Sequence, residues 1–331
     1  MTSPAVMAGF PPTGHSGSLV DGRLWCALET GYRCELCTGR FAQVAYIAGD
    51  ECAGISLPTG GVPVPDLNPW FDWLFSLNPA LQRIEVLVAG KVPFAADSEI
   101  TRVDFYQCAA LWYRGNNGGR FPLQWVENHE GLRHPLRPEP VDGEVYRRHF
   151  YSLGMDFSLR SLHPERDLSL FTGWMNQRRV ARFWQEEGGT DKQQRYIETV
   201  IQDPHKYPLI ASFDDMPFGY FEVYWAYEDR IAPHCGAQLF DRGAHLLVGD
   251  RRFLGSHFTR AWFNGVSHFL FLDDSRTQAL VGEPRADHVA MLRYFDGMFG
   301  WQKIREFDFP HKRAALVLCK RGMFFQSMGG V

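Results

Sequence analysis

The sequence lacks the features that would assign it to several well-known classes of protein. No apolar run reaches the roughly 18 residues that a membrane-spanning helix needs, and the first residues lack the charged and apolar segments of a secretory signal. The 34 basic and 38 acidic residues give a net charge of −4, which argues against a nucleic-acid-binding surface. The 7 cysteines are odd in number and scattered, so they do not suit a disulfide framework. We therefore expect a cytoplasmic globular protein that binds neither membranes nor nucleic acids.

Apolar and aromatic side chains, in contrast, are abundant. The 331 residues are 45% apolar and 15% aromatic, which is enough for one sizeable core or two smaller ones. A proline-rich stretch at residues 134–140 has no periodicity and predicts a linker that ends near Arg147. We expect an N-terminal domain over residues 1–147 and a second domain over residues 148–331.

The N-terminal half contains short apolar runs that predict strands. They occupy residues 23–28, 42–47, 84–88 and 109–113. An aromatic-rich segment at 65–81 predicts a helix, and the sequence NNGGR at 116–120 predicts a turn. The aromatic residues at 70–75 suit either a core or the interface of a homodimer. This half is expected to be a smaller α/β domain.

The second half shows a regular succession of strands and helices. The predicted strands are 157–162, 209–213, 218–225, 245–249, 279–282, 303–309 and 314–319, and the predicted helices are 164–184, 190–202, 256–272 and 287–299. The helix at 256–272 is long enough for a right-handed crossover, so the strands on either side of it should be parallel neighbours. Short turns join the other strands, which should therefore be antiparallel. The predicted fold class is α/β (α+β), with a mixed, mostly antiparallel sheet.

The segment GAHLLVGDRRFLGSH at residues 243–257 carries the clearest binding signal. A predicted strand ends there at Gly249, and a turn leads directly into a helix. The N–H groups at a helix start are unpaired and lie at the positive end of the dipole, so they suit a phosphate group. Gly255 allows close approach of the backbone, and Arg251 and Arg252 add positive charge. An ordinary strand, turn and helix with solvated arginines is the commoner origin of so short a pattern.

The order of elements and this segment resemble the GNAT acyltransferases, which bind acyl-coenzyme A. Their signature Arg/Gln-x-x-Gly-x-Gly/Ala matches the run from Arg252 to His257, where His257 replaces the small residue of the family. The resemblance covers residues 155–322 and implies a GNAT fold. It implies that the preceding domain is either a degenerate second GNAT half or a part of the acceptor pocket. It also implies contacts with acetyl-coenzyme A from Leu247, Val248, Gly249, Arg251, Arg252, Phe253, Leu254, Gly255, Ser256, His257 and His288.

A narrower resemblance is to the siderophore acetyltransferases that form hydroxamates on hydroxylysine or hydroxyornithine. The similar segments are YFEVYWAYEDRIAPH at 220–234, LFDRGAHLLVGDRRFLG at 239–255, FLFLDDSRTQALVGEPRADH at 269–288 and PHKRAALVL at 310–318. The implied reaction moves an acetyl or other short acyl group from coenzyme A to the hydroxylated side-chain nitrogen, without a metal ion. A histidine and a carboxylate that this family links with catalysis match His245 and Glu283. The candidate acceptor-binding residues are Tyr224, Trp225, Asp241, Arg242 and Arg313.

A histidine suits this chemistry because nitrogen attack on a thioester requires removal of a proton as the new bond forms. Histidine is the side chain best placed to accept a proton near neutral pH. Glu283 would orient the imidazole or take the proton through a water. Many GNAT proteins use a tyrosine as general acid, but Phe295 and Asp296 occupy the two alignable positions, so that role is left unassigned.

Other interpretations of the same residues stay open. A histidine at the head of an apolar strand is often a core residue, and Glu283 before Pro284 also suits a solvated strand end. The alternative functions are a GNAT N-acetyltransferase for an ordinary amine, such as an aminoglycoside or a polyamine, and a non-catalytic acyl-coenzyme A-binding module. Cys34 and Cys37 have the spacing of half a zinc site, but no second pair follows.

Overall fold

The computed structural model describes most of the chain, in segments. The described residues are 18–20, 23–28, 31–35, 41–45, 52–57, 68–88, 99–115, 123–295, 298–309 and 312–328. The chain divides into two compact units, residues 1–108 with 328–331 and residues 109–327. This division precedes the predicted linker, and the domain boundary at Arg147 stays a prediction. The turn predicted at 116–120 and Cys37 lie outside the described residues. None of the helices in these segments combines the length and the apolarity that crossing a bilayer requires.

The first unit contains a sheet whose strand order follows the chain. Its elements are β1 (Ser18–Val20), β2 (Arg23–Leu28), β3 (Gly31–Glu35), β4 (Phe41–Ala45), β5 (Cys52–Leu57), α1 (Asn68–Leu77), β6 (Arg83–Val88), β7 (Glu99–Thr101) and α2 (Arg102–Tyr106). Strands β5 and β6 are parallel across the connection through α1, and the other neighbours are antiparallel. The strands predicted at 23–28, 42–47 and 84–88 are confirmed as β2, β4 and β6.

Helix α1 confirms the prediction at 65–81, although it is shorter. Phe71, Leu74 and Phe75 share one face of this helix and are all 0% exposed, as the spacing i, i+3, i+4 favours. The rings of Phe71 and Phe75 lie 5.9 and 5.6 Å from the ring of Phe105 on α2. These rings therefore belong to the core of the first unit.

The strand predicted at 109–113 is wrong. Residues Ala109–Leu111 form a short 3₁₀ helix instead, in which the N–H groups of Trp112 and Tyr113 donate to the carbonyl of Ala109. A short apolar run has no periodicity that separates a strand from a helical turn, and the local hydrogen bonds decide the outcome here.

The second unit is built around a mixed sheet. Its elements are β8 (Trp125–Glu127), β9 (Arg133–Pro135), β10 (Glu144–Phe150), β11 (Met155–Ser161), α3 (Pro164–Met175), α4 (Arg178–Trp184), α5 (Thr190–Gln202), β12 (Lys206–Phe213), β13 (Met216–Trp225), α6 (Ala232–Cys235), β14 (Arg242–Val248), α7 (Ser256–Asp273), β15 (Ala279–Gly282), α8 (Val289–Phe295), β16 (Trp301–Phe309), β17 (Lys312–Lys320) and α9 (Arg321–Ser327). The main sheet has the order β10-β11-β12-β13-β14-β15-β17-β16, and β8 and β9 form a separate hairpin. The predicted mixed, mostly antiparallel sheet is confirmed.

Two of the helix predictions need correction. Residues 164–184 form two helices, α3 and α4. Asn176 caps the end of α3, and its side-chain amide donates to the carbonyls of Thr172 and Gly188 (2.8 and 2.9 Å). The helix predicted at 287–299 is shorter and corresponds to α8. Strand β10, which pairs with β11, was not predicted.

The predicted parallel pair is confirmed, and it is short. Strands β14 and β15 pair only through Arg242 with Leu280 and Gly243 with Val281. Strand β14 continues to Val248 without further pairing to β15. The sheet therefore opens between these two strands beyond Gly243, and helix α7 connects them.

The side chains of β13 alternate between two packed faces of the sheet. Tyr220 lies 4.8 Å from the ring of Phe171 on α3, whereas Phe221 lies 5.3 Å from the ring of Trp262 on α7. Successive strand residues point to opposite faces. The even-numbered side chains of β13 from Tyr220 to Tyr224 thus face α3, and the odd-numbered ones face α7.

Candidate active site

His245 lies between two carboxylates on the face of the sheet that α3 covers. It is the cross-strand partner of Glu222 on β13, and its Nδ1 is 3.2 Å from Glu222 Oε1. Its Nε2 is 3.5 Å from Glu283 Oε1, just beyond the end of β15. The His245 side chain is 24% exposed, whereas those of the two glutamates are almost fully buried. Both ring nitrogens therefore face a negative charge.

Three tyrosines hold the two carboxylates in place. The hydroxyls of Tyr196 and Tyr220 donate to Glu222 Oε2 at 2.8 and 2.9 Å. The hydroxyl of Tyr224 donates to Glu283 Oε2 at 3.3 Å. Charge-assisted hydrogen bonds of this kind favour the ionised form of a buried carboxylate.

Two lysines lie at the edge of the same cluster. Lys312 Nζ is 3.6 Å from Glu283 Oε1, and Lys206 Nζ is 3.8 Å from Glu222 Oε1. Burial lowers the pKa of Lys312, although Glu283 opposes that change. These cations offset part of the negative charge that the two carboxylates bring into the sheet.

The pKa of His245 is the main electrostatic feature of the site. Burial by itself would lower it, but the contacts with Glu222 and Glu283 outweigh burial and raise the pKa to about 10. Burial would raise the pKa of Glu222 and of Glu283, but His245 lowers both to about 2. At neutral pH the cluster is an imidazolium between two carboxylates. This differs from the expectation of a histidine that titrates near neutral pH.

The cluster should make the free energy of unfolding depend on pH. Folded His245 keeps its proton until about pH 10 and an unperturbed histidine until 6.5, so its contribution is complete below 6.5 and lost as the pH rises through 10. The two glutamates have ordinary values of 4.5, so their contribution is complete above 4.5 and lost as the pH falls through about 2. We expect the largest contribution between pH 4.5 and 6.5. Urea unfolding from about pH 2 to about pH 10 will check it, and His245→Gln should lose the part of the alkaline decline that His245 causes in wild type.

Gly243 makes room for the tyrosine that contacts Glu283. A Cβ atom at this position would lie 2.3 Å from the ring of Tyr224, its cross-strand partner. That ring also lies 4.8 Å from the ring of His245. A side chain at position 243 would displace Tyr224 from both neighbours.

The predicted phosphate loop follows β14 directly. A Cβ at Gly249 would overlap the indole of Trp174, so this glycine lets α3 approach the end of the strand. The Gly249 carbonyl accepts hydrogen bonds from Gln177 and Arg179 at 2.9 and 2.6 Å. Gly255 has φ +124°, which side-chain-bearing residues rarely adopt, and it starts α7. As at the start of any α-helix, the first N–H groups of α7 have no partner within the helix, so they are available to a ligand.

The other candidate coenzyme-binding residues differ in their surroundings. Leu247 and Phe253 are buried in the core, and Arg251, Arg252 and Leu254 are exposed. Arg252 pairs with Asp250 at 2.7 Å on the surface of the turn. The residues on either side of this turn are Val248 at the end of β14 and Ser256 and His257 in the first turn of α7. His288 lies just before α8, and its ring stacks on Phe183 at 4.4 Å.

The structure brings together only some of the candidate acceptor-binding residues. Tyr224 lies at the His245 cluster. Trp225 and Arg242 are cross-strand partners on the opposite face, where the Arg242 guanidinium lies 3.9 Å from the Trp225 ring. Asp241 is buried and accepts hydrogen bonds from the backbone N–H groups of Gln238 and Ala279. Arg313 is exposed on β17 and pairs with Glu306 and Asp308. Their binding roles stay predictions.

Glu222 is the functional candidate that the sequence reasoning missed. It is the charged residue in a strand, MPFGYFEVYW, that is otherwise uncharged. A buried carboxylate is costly unless it is paired, and this rule is the signal that could have found it. Tyr196 and Lys312 could not be found in this way, because they come from distant elements.

Comparisons with known proteins bear on this arrangement. The acetyltransferase (GNAT) domain family matches residues 163–309. The N(6)-hydroxylysine O-acetyltransferase of Escherichia coli is 44% identical over 195 residues, 59% of this chain and 62% of that protein. A putative lysine N-acyltransferase of Schizosaccharomyces pombe is 40% identical over 231 residues, 70% of this chain and 68% of that protein. A hydroxyornithine transacylase of Ajellomyces capsulatus is 39% identical over 216 residues, 62% of this chain. The matched region spans 62% of the first relative and 49% of the third.

Proposed function

The chain belongs to the GNAT acetyltransferase family, and we propose that it transfers a short acyl group, acetyl in the simplest case, from coenzyme A to an N-hydroxylated diamino acid. The acceptor is N-hydroxylysine or N-hydroxyornithine, and the acylated atom is the hydroxylated side-chain nitrogen. The single observation that carries this proposal is the His245 cluster at the point where β14 and β15 separate. The names of the relatives, which include hydroxylysine, lysine and hydroxyornithine acyltransferases, support the substrate class.

The coenzyme would enter where β14 and β15 are unpaired. Its diphosphate would accept hydrogen bonds from the N–H groups at the start of α7, next to Gly255, as anions at helix N-termini commonly do. Arg251 and Arg252 are exposed beside this turn and would add charge. The pantetheine arm would then run along β14 toward His245. The proposed transfer requires no metal ion.

The reaction requires two proton transfers, which we assign to His245 and Glu283. A bond forms between the acceptor nitrogen and the acyl carbon, and the carbon–sulfur bond breaks. The nitrogen loses one proton and the departing sulfur gains one. We assign the second proton to the His245 imidazolium, whose pKa of about 10 is close to the ~8.5 of an ordinary thiol. Once His245 has lost its proton, the charge that holds the pKa of Glu283 low is gone. Glu283 can then take the proton from nitrogen and return it to His245.

A hydroxylated nitrogen suits a site of this kind. The hydroxyl group makes the nitrogen less basic, so most acceptor molecules are uncharged and need no strong base before attack. Acylation of this nitrogen produces a hydroxamate, which offers two oxygens to ferric iron. We therefore place the reaction in cytoplasmic siderophore assembly for iron acquisition.

A thiol-release assay with acetyl-coenzyme A tests the proposal. We expect turnover with hydroxylysine or hydroxyornithine and little with lysine or ornithine. Mass spectrometry of the product counts the acyl groups added, and the colour that hydroxamates give with ferric iron distinguishes N-acylation from O-acylation. Turnover with ordinary amines would instead support a general N-acetyltransferase. Tight binding of coenzyme A without acceptor-dependent thiol release would support a non-catalytic binding module.

The pH dependence of kcat separates two roles for His245. If the imidazolium donates a proton, kcat at saturating substrates should be level at neutral pH and fall above about pH 10. A histidine that acts as a neutral base would give a kcat that rises with pH, about tenfold per unit, until it reaches that pKa. The measurement is kcat across the neutral and alkaline range in buffers of constant ionic strength.

Substitution of Gly255 tests the phosphate loop. Gly255→Ala should raise the Kd for coenzyme A by roughly tenfold. A side chain at this φ costs of order 1–3 kcal/mol, which the free loop relieves by moving its N–H groups out of the geometry that binds the diphosphate. Calorimetric titration with coenzyme A measures the effect. Gly322→Ala in α9 is the matched control, since a Cβ there meets no atom within 4 Å. Equal affinities of the two variants would argue against the loop as the diphosphate site.

A further inference from the structure

His134, His205 and Glu228 form a cluster outside the proposed active site. His134 lies on β9, His205 just before β12, and Glu228 in the turn after β13. One potential ligand atom from each lies within 4.8 Å of the other two. The side chains of His134 and Glu228 are 5% and 0% exposed, and that of His205 is 19% exposed.

The partners of the two histidines determine which nitrogens carry protons. His134 Nδ1 is 2.8 Å from the carbonyl oxygen of Pro135 and 3.1 Å from Glu228 Oε1, so this nitrogen is the donor. His205 Nδ1 faces Asp203 Oδ1 at 3.4 Å. In neutral rings, both Nε2 atoms are then left with lone pairs. These two Nε2 atoms face each other at 3.4 Å, so either one ring donates an N–H to the other or both lone pairs bind one cation.

The separation of the two nitrogens fits a metal ion. Imidazole nitrogens bind Zn²⁺ at about 2.0–2.1 Å, so two of them on a tetrahedral ion lie about 3.3–3.4 Å apart. A carboxylate on the other nitrogen of a ligating histidine is the usual means of orienting the ring. Glu228 is in that position relative to His134.

Glu228 supplies a second, independent observation. Its Oε1 accepts a hydrogen bond from Arg137 and lies near His134 Nδ1. Its Oε2 is buried and has no hydrogen-bond partner among the described residues. A buried carboxylate oxygen without a partner is costly, and a cation held by the two histidines would offset part of that cost.

We propose that His134 and His205 bind one divalent transition-metal ion of the zinc type through their Nε2 atoms, with Glu228 orienting the His134 ring from Nδ1. Imidazole ligands select such ions over Mg²⁺ or Ca²⁺. The ion would join the β8–β9 hairpin to the start of β12 and to the turn after β13, so its role would be structural. The cluster is separate from the acyl-transfer residues, and the proposal does not depend on the proposed function.

Metal binding by the whole protein tests this inference. After dialysis against a chelator, the protein is titrated with Zn²⁺ by calorimetry and with Co²⁺ by visible absorption. We expect one equivalent of each and the intense visible bands of tetrahedral Co²⁺. Zinc at a hundredfold excess over its Kd should raise Tm by roughly 5–10 °C.

His205→Gln is the informative variant, because this histidine is partly exposed and its replacement should leave the fold intact. It should weaken zinc binding by about tenfold or more and remove the Tm increase. His163→Gln is the matched control, since His163 also pairs with an aspartate, at 2.6 Å, outside this cluster. Absence of zinc and cobalt binding in wild type, or equal binding by both variants, would overturn the proposal. In that case the contact between the two rings is a hydrogen bond, in which one Nε2–H donates to the other Nε2.

Discussion

Replacing His245 with glutamine is expected to lower kcat by about two to four powers of ten, the usual contribution of a general acid or base. Glutamine keeps a polar side chain between Glu222 and Glu283 but provides no proton that can be transferred at neutral pH. The measurement is acceptor-dependent thiol release at saturating acetyl-coenzyme A. The affinity for coenzyme A should change little, because His245 lies on β14 and the proposed diphosphate site lies beyond the end of that strand.

The control for this prediction is His129→Gln. The side chain of His129 is 89% exposed and lies far along the chain from the cluster. This variant should keep the wild-type kcat, and circular dichroism should show that both variants are folded. A wild-type kcat in folded His245→Gln would remove this residue from the mechanism.

Of the substitutions considered, Glu222→Gln should lower the free energy of unfolding the most. It should also change the titration of His245. Glu222 is 2% exposed and accepts hydrogen bonds from Tyr196, Tyr220 and His245. Loss of its charge leaves His245 with one carboxylate. We expect the free energy of unfolding to fall by roughly 3 kcal/mol, the lower end of what losing one partner of a buried ion pair costs. The pKa of His245 should fall from about 10 toward its ordinary value.

Urea unfolding measures the first effect, and NMR titration of the histidine ring measures the second. Glu198→Gln is the matched control, because Glu198 is exposed on α5 and accepts a hydrogen bond from Gln194 in the same helix. It should change the stability by no more than about 0.5 kcal/mol. A Glu222→Gln protein as stable as this control, with an unchanged titration of His245, would contradict the role that we give to Glu222.

The sequence predicted those parts of the fold that depend on local pattern. The helix at 190–202 and the strand at 279–282 have the predicted bounds, since their patterns end at clear breaks. The parallel pair followed from the length of the intervening helix. The split between α3 and α4 was not predicted. Asn176 at this break bonds to Gly188, a residue outside both helices, and the pattern within 164–184 contains no sign of such a contact.

The candidate site was predicted only in part, for a related reason. His245 and Glu283 were found by their resemblance to family positions, and the structure brings them to 3.5 Å. The position of Glu222 opposite His245 depends on the pairing register of β13 with β14. The same register places Trp225 and Arg242 on the other face of the sheet. Register is a property of two strands, which the pattern of one strand does not determine.

The short pairing between β14 and β15 leaves backbone hydrogen-bonding groups of β14 without a partner strand on one side. Beyond Gly243, one side of β14 is a row of amide groups inside the sheet rather than at its margin. Neighbouring strands flank this row, so another protein's strand has less access to it than to an outer strand. A slender molecule with its own amides can still form hydrogen bonds there. The protein thereby keeps unpaired backbone N–H and C=O groups available to a small ligand while limiting the risk of aggregation.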